Sequence, residues 1–220
     1  MADPGGGMKP SPDRDAAGVR KTAAARFTDL EQRVLRISPE PCLHVGDRQV
    51  HELISADIRG YLEYLRTGLS GIAHDRLAIR LPRKQVFREG DEAGDFRVMP
   101  CVLGAGDARL KMVKIIGTNK QAARIPDQIS VGRVFLLDNH DNYITHAFQA
   151  CLLSSARTGA CAMLAIEKLA RRRRRVRIIG AGRVGYYCGL FCTQLAGIRE
   201  VVFVDRDPAR AQAAADLLAH

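Results

Sequence analysis

The residues best suited to chemistry lie late in the chain, in the run VRIIGAGRVG. Gly180, Ala181, Gly182, Arg183, Val184 and Gly185 have GxGxxG spacing, directly after a strand-like apolar run and directly before a helix-like one. In that context the first glycine permits a tight turn, the second lets a pyrophosphate approach the backbone, and the third lets helix pack on strand. The helix N-terminus adds free N–H groups and a positive partial charge for phosphates. Asp205 closes the following strand, where a carboxylate accepts hydrogen bonds from an adenosine ribose and repels a 2′-phosphate, which favours NAD over NADP. Arg206 beside it is a group able to accommodate that phosphate. The alternative is a glycine turn that packs helix on sheet and holds no ligand.

Two cations stand in places that ask for an anion. Strand alternation along Leu110 to Ile116 puts Lys114 on the same face as Leu110, Met112 and Ile116. An ammonium on an apolar face requires a carboxylate from the protein or a ligand, unless it snorkels to solvent at an edge. Arg157 lies three residues after Ser154, a candidate N-cap for a helix over 155–170. In a first turn a cation opposes the helix dipole unless an anion sits there as well. If the helix begins near Thr145 instead, Arg157 is mid-helix; both readings stand.

Other chemistries lack their signatures. The six cysteines (Cys42, Cys101, Cys151, Cys161, Cys188, Cys192) contain no CxxC pair and are expected to be reduced and mostly buried. His44, His51, His74, His140 and His146 show no HExxH-type spacing, so no metal site is expected, and Ser154 and Ser155 have no GxSxG elbow. The formal charge of +10 attracts anions. Aromatic residues are only 5% and Trp is absent, so the charge lacks the stacking partners of a typical nucleic-acid surface. The run Arg171–Arg175 reads first as the solvated end of a helix; nucleic-acid binding through it is the minor reading. No apolar run reaches the ~20 residues of a membrane span and no secretory leader is visible, so a cytoplasmic protein is expected.

The elements that must position these groups fall into three regions. Residues 1–26 combine Gly, Pro and charge without periodicity and read as a disordered tail. Thr28 and Glu31 have capping-box spacing for a short helix before Pro39, and a small strand follows over 42–45. Apolar residues from Val50 to Leu65 recur at three and four, predicting one helix from Asp47 to Gly68. Runs at 76–88, 96–103, 109–117 and 131–137 predict an antiparallel or mixed sheet, and 155–170 a second apolar helix. From residue 174 the pattern becomes strand, helix, strand, helix, the start of a doubly wound parallel sheet. The expected fold class is therefore α/β: an N-terminal α+β substrate-binding and dimerisation domain over 27–173, then a truncated NAD(P)-binding Rossmann domain over 174–220.

With these pieces together, the chain from about residue 43 resembles the ornithine cyclodeaminase and mu-crystallin family. The resemblance is carried by HELISADIRGYLEYLRTG, LPRKQVFR, Met99 and Pro100 in RVMPCVLG, VKIIG, VFLLDNHDNYI, LLSSARTGA and IIGAGRVG, in that order. It is nearest the branch that makes 2,3-diaminopropionate for siderophores and peptide antibiotics. That likeness implies an NAD-dependent amino acid dehydrogenase that oxidises an aminocarboxyethyl adduct of glutamate and releases diaminopropionate and 2-oxoglutarate. Ornithine cyclodeaminases and ketimine reductases share the scaffold, and an inactive binding or dimerisation module is a further alternative.

The resemblance implies roles by position. Arg88 matches the arginine that grips the substrate carboxylate, and Lys114 a catalytic lysine on the same carboxylate. Arg157 matches the arginine that reaches carboxylate and cofactor phosphate, with Thr158 beside it, and Ser130 a cofactor contact. Gly180, Ala181, Gly182, Arg183, Val184, Gly185 and Asp205 would hold NAD. A homodimer is the implied assembly and an amino acid the small-molecule partner. The chain departs from the family pattern at Gly159, expected to loosen the helix that holds Arg157, and in the segment 118–130. The family's catalytic aspartate would fall beyond residue 220.

Overall fold

The computed structural model describes residues 28–36, 42–88, 94–118, 128 and 130–219. The tail reading for 1–26 and most of the segment 118–130 lie outside these residues. The chain divides into two compact units, Met1–Pro39 and Glu40–His220. In the first, helix α1 (Asp29–Leu35) starts at the anticipated capping box: Thr28 Oγ1 accepts from Glu31 N–H at 3.2 Å and Glu31 Oε2 accepts from Thr28 N–H at 2.7 Å.

The second unit opens with β1 (Leu43–Val45) and two helices, α2 (Asp47–Ala56) and α3 (Ile58–Ala73), where the periodicity predicts one. The break is Asp57, at φ −144° and ψ 73°, whose side chain caps α3 by accepting from Gly60 N–H at 2.8 Å. Apolar spacing continues through such a break because both helices bury the same side, which is why the pattern hid it. Val50, Ile54 and Leu62 are the buried residues of that side.

The main sheet has β2 (Ile79–Arg80), β3 (Gln85–Arg88), β4 (Asp95–Leu103), β5 (Leu110–Thr118), β6 (Ser130–Leu137) and β7 (Ile144–Gln149) beside β1. Its order is β1-β7-β6-β5-β4-β2, with β3 also on β4; β1 runs parallel to β7 and the other pairs are antiparallel. Strand β7, which alternation alone did not separate from the following helix, therefore links β1 to the rest. Register assigns the faces. Lys114 lies opposite Met99 on β4 and Val134 on β6, and Arg97 opposite Ile116 and Val86. Arg88, Arg97, Met99, Lys114 and Ile116 thus share one face.

Helix α4 (Ala150–Leu169) leads into β8 (Arg175–Ile179), α5 (Arg183–Cys192), β9 (Glu200–Val204) and α6 (Pro208–Ala219). β8 and β9 pair in parallel as a separate sheet, as the strand, helix, strand, helix grammar requires. Helix α5 stops at Cys192, and Gly197 takes a left-handed φ of 88° before β9.

Helices α4 and α5 join the two sheets. Ala156, Ala160 and Met163 of α4 pack with Tyr187, Phe191 and Cys192 of α5, all at 1% exposure or less. Each large side chain there contributes about 1.5–3 kcal/mol of burial. Gly159 lies at the crossing: a Cβ on it would meet Cys188 N at 2.6 Å and Tyr187 C at 2.8 Å. The expectation that this glycine loosens α4 is corrected. It is the residue that lets two helix backbones touch, so it fixes α4 rather than freeing it.

Of the six cysteines, all are free, but only Cys151 and Cys192 are buried and Cys42 is exposed, fewer buried than expected. No described helix is long and apolar enough to cross a membrane.

Candidate functional site

A cleft of about 1170 Å³ runs between the glycine turn, α4 and the ends of β5 and β6. Gly180 through Gly185 line one wall, with Ser154, Ser155 and Thr158 from α4, and Ile116 and Ser130 from the main sheet, on the other. Gly180 has φ 101°, and its N–H donates to Val204 O at 2.7 Å, which ties the turn to the end of β9. At Gly185 a Cβ would lie 1.9 Å from Gly180 O, so only glycine allows the helix to start this close to the turn. A Cβ on Gly182 would meet nothing within 4 Å. The middle glycine therefore opens onto free space at a helix N-terminus, the geometry that admits a phosphate to backbone N–H groups.

Asp205 stands at the foot of the same turn. Its carboxylate accepts from Ala181 N–H at 2.7 Å and from Asp207 N–H at 3.1 Å. These two bonds, with the nearby charges of Arg210 and Arg206, hold it below the usual carboxylate range. Each oxygen keeps a lone pair for a hydroxyl donor. Arg183, first in α5, faces Asp47, first in α2, at 4.0 Å. One turn further along both helices, Tyr187 OH and His51 Nδ1 are 2.9 Å apart.

Lys114 on β5 and Arg157 on α4 stand near enough to repel each other, and neither lines the cleft. Helix α4 begins at Ala150 with Gln149 as its N-cap, so Ser154 is not the cap and Arg157 sits in the third turn rather than the first. The helix starts earlier because it follows β7 without a loop. Arg157 is exposed, with no hydrogen bond or ion pair among the described residues. Lys114 is half-buried and likewise has no acidic partner among them. Burial holds its ammonium below the usual lysine range, and Arg157 and Lys84 add repulsion while Cys151 opposes it. The carboxylate that this apolar strand face demanded is not supplied by any described side chain.

Lys84 is the functional candidate that sequence reasoning missed. The segment LPRKQVFR offers Arg83, Lys84 and Arg88, and nothing in its composition chooses among them. Alternation along β3 puts Val86 and Arg88 on the Lys114 face, and Lys84, just before the strand, is close enough to repel Lys114. Arg88 stands apart, exposed and opposite Asp95, whose carboxyl it helps to hold low. Ser130 and Thr158 both line the cleft. Ser130 O accepts from Cys151 Sγ at 2.9 Å and Thr158 Oγ1 donates to Ser154 O at 2.8 Å. Among the described residues no group of His, Cys, Asp and Glu could hold a metal.

The arrangement matches a known sequence family, the ornithine cyclodeaminase/mu-crystallin family, over residues 47–220. The chain belongs to that family. No curated protein matches it. Among solved structures of similar fold is a Δ1-pyrroline-2-carboxylate reductase of Thermococcus litoralis in complex with NADH and L-proline. It has a TM-score of 0.68 and 18% identity, over 80% of this chain and 53% of its own. A lysine cyclodeaminase studied for recognition of L-lysine, L-ornithine and L-2,4-diaminobutyric acid has a TM-score of 0.63 and 23% identity, over 82% and 54%. The iminosuccinate reductase of Paracoccus denitrificans in complex with NAD+ has 0.64 and 17%, over 82% and 55%. The chain thus spans about half the length of these structures. What it shares with them is the fold.

Proposed function

We propose that the protein is an NAD-dependent oxidoreductase acting on an amino acid. One observation carries this reading: an open glycine turn at a helix N-terminus forms one wall of a cleft, and Ile116 and Thr158 on its other wall stand on the same strand and helix as Lys114 and Arg157, which have no carboxylate partner among the described residues. A dinucleotide fits the glycine wall. The space over Gly182 takes the pyrophosphate, Arg183 adds charge beside it, and the spare lone pairs of Asp205 suit a ribose and so NAD. When bound, the nicotinamide supplies the hydride acceptor. The chain's own contribution is position and charge. Lys114 and Arg157, with Lys84, bind a substrate carboxylate, and that anion relieves their mutual repulsion. Fixing the carboxylate orients the neighbouring carbon, converting binding energy into alignment. Ser130 and Thr158 complete the wall between the two binding regions.

The finer reading is oxidative hydrolysis of an aminocarboxyethyl adduct of glutamate, consuming water and NAD and yielding 2,3-diaminopropionate and 2-oxoglutarate for siderophore or peptide antibiotic synthesis. It is supported by the segments RVMPCVLG and VKIIG. A homodimer belongs to the same proposal. The sheet face opposite Lys114 exposes Phe87, Phe96 and Ile115 at 44%, 46% and 40%, and the two phenylalanines stack at 4.7 Å. An open apolar sheet face of this kind suits a second copy.

Calorimetric titration with NAD and NADP, followed by turnover of the glutamate adduct, ornithine and proline with products identified by mass spectrometry, tests the reading. Heat with NAD and diaminopropionate release are expected. Release of proline from ornithine would assign cyclodeaminase chemistry instead. Absence of heat and of thermal shift with either dinucleotide would overturn the proposal.

A further inference from the structure

Two helix N-termini meet beside the glycine turn. Asp47 opens α2 and Arg183 opens α5, and Arg183 Nη1 faces Asp47 Oδ2 at 4.0 Å. One turn on, His51 Nδ1 and Tyr187 OH are 2.9 Å apart, with the two rings edge-on at 5.9 Å. Residues four apart share a helix face, so these two contacts together fix the rotation and register of α2 against α5. Arg183, His51 and Tyr187 line the cleft, and Asp47 does not. The carboxylate therefore backs the arginine from outside the cleft wall.

Helix capping does not account for Asp47. An acid in the first turn commonly accepts from free backbone N–H groups, yet at α2 the cap bond is made by Gln49, whose Oε1 accepts from Gly46 N–H at 2.8 Å. Asp47 accepts no hydrogen bond from the described residues, and its Oδ1 is buried without a donor. Its charge is answered by Arg183. The two side chains are 36% and 34% exposed, so solvent screens them less than a pair on an open surface. Burial pushes the Cys151 thiol of α4 up, while Arg183 lowers it and Asp47 raises it, so both charges stand close to this cleft-lining residue. With Nη1 turned to Asp47, Arg183 Nε and Nη2 keep their N–H donors, and no described residue accepts from them.

We infer that Asp47 is a positioning residue for dinucleotide binding: its carboxylate holds one side of the Arg183 guanidinium so that the other side presents its N–H donors to the pyrophosphate beside Gly182. The inference rests on the dinucleotide reading above. A guanidinium carries its donors in a planar fork that matches two phosphate oxygens. A free arginine loses rotamer entropy when a ligand brings that fork into place, and one already held loses less. The carboxylate also repels phosphate, and the guanidinium between them makes that the smaller effect.

The test is a double-mutant cycle on the full chain: calorimetric titration of the parent, D47N, R183M and D47N/R183M with NAD and with ADP-ribose, which keeps the pyrophosphate and lacks the nicotinamide, beside a thermal melt of each protein. R183M should weaken both ligands about tenfold or more and D47N about fivefold. In the R183M background D47N should change affinity by less than about twofold, because the group it acts through is gone. D47E keeps the charge and should fall between the parent and D47N; it supplies the same cycle with R183M should D47N melt below the titration temperature. Equal weakening by D47N with and without Arg183 would overturn the role, since a merely structural effect needs no arginine. Tighter binding in D47N would overturn it too and make Asp47 a competitor of the phosphate. Parental affinity in D47N, with the parent binding NAD, sinks the role of Asp47 alone, whereas no heat from the parent with either ligand refutes the dinucleotide reading and this inference with it.

Discussion

Replacing Gly159 with alanine separates two opposing effects whose sizes can be worked out. In an exposed helix interior, alanine is favoured over glycine by about 1 kcal/mol. At Gly159 the added Cβ would lie 2.6 Å from Cys188 N, whereas ordinary contacts begin at 3.4 Å. The atoms it meets, Cys188 N and Tyr187 C, belong to the backbone of α5 and cannot rotate away, so α5 must retreat by roughly 1 Å or α4 must bend. Overpacking of this kind costs about 1–3 kcal/mol, and a backbone neighbour places it at the upper end. The net loss is then about 2 kcal/mol, or a Tm lowered by roughly 4–8 °C for a chain of this size. Gly68 in α3 is the internal control, because a Cβ there would meet nothing within 4 Å. Paired thermal and urea denaturation of G159A and G68A should move in opposite directions, with G68A more stable than the parent by about 1 kcal/mol. Equal stabilisation of both variants would refute the close helix crossing, and with it the account of how α4 is held against α5.

Further outcomes follow from the same geometry. G182A should keep its Tm, since the new methyl meets no protein atom, yet bind NAD about tenfold or more weakly because it occupies the approach of the pyrophosphate; titration calorimetry reads both. K84M should raise the KM for an amino acid substrate more than R88A does, because Lys84 and not Arg88 acts on Lys114; the reverse order would return the carboxylate grip to Arg88. Burial and the neighbouring cations lower the Lys114 pKa, so the folded state holds this proton less tightly than the unfolded chain does. Folding stability attributable to Lys114 therefore rises with pH across the window between its lowered pKa and the ordinary lysine value, and K114M should flatten that rise in denaturation measured across alkaline pH. Substrate binding needs the charged form, so carboxylate affinity should fall as pH climbs through the same window.

Much of the cleft was legible in the chain itself. GxGxxG between a strand and a helix, with an acid closing the next strand, is a local pattern, and the turn, Asp205 and α5 lie where that pattern puts them. The capping box of α1 is local in the same sense. Lys114 was conspicuous because alternation over a single strand is enough to expose a charge on an apolar face. Other features were hidden because their causes are distant in sequence. The break at Asp57 follows from packing that both helices share, and β7 is a strand because β1 and β6 flank it. The N-terminus of α4 is set by β7 running straight into it, which moves Arg157 out of the first turn.

Residue types and short-range spacing thus determined that a glycine turn between strand and helix and a misplaced lysine exist, since both follow from periods of two and of 3.6 residues. Only the tertiary structure decided which cations lie near Lys114 and what Gly159 is for. Each of those depends on strand register or helix approach, and these are fixed by contacts between residues that one-dimensional spacing does not relate.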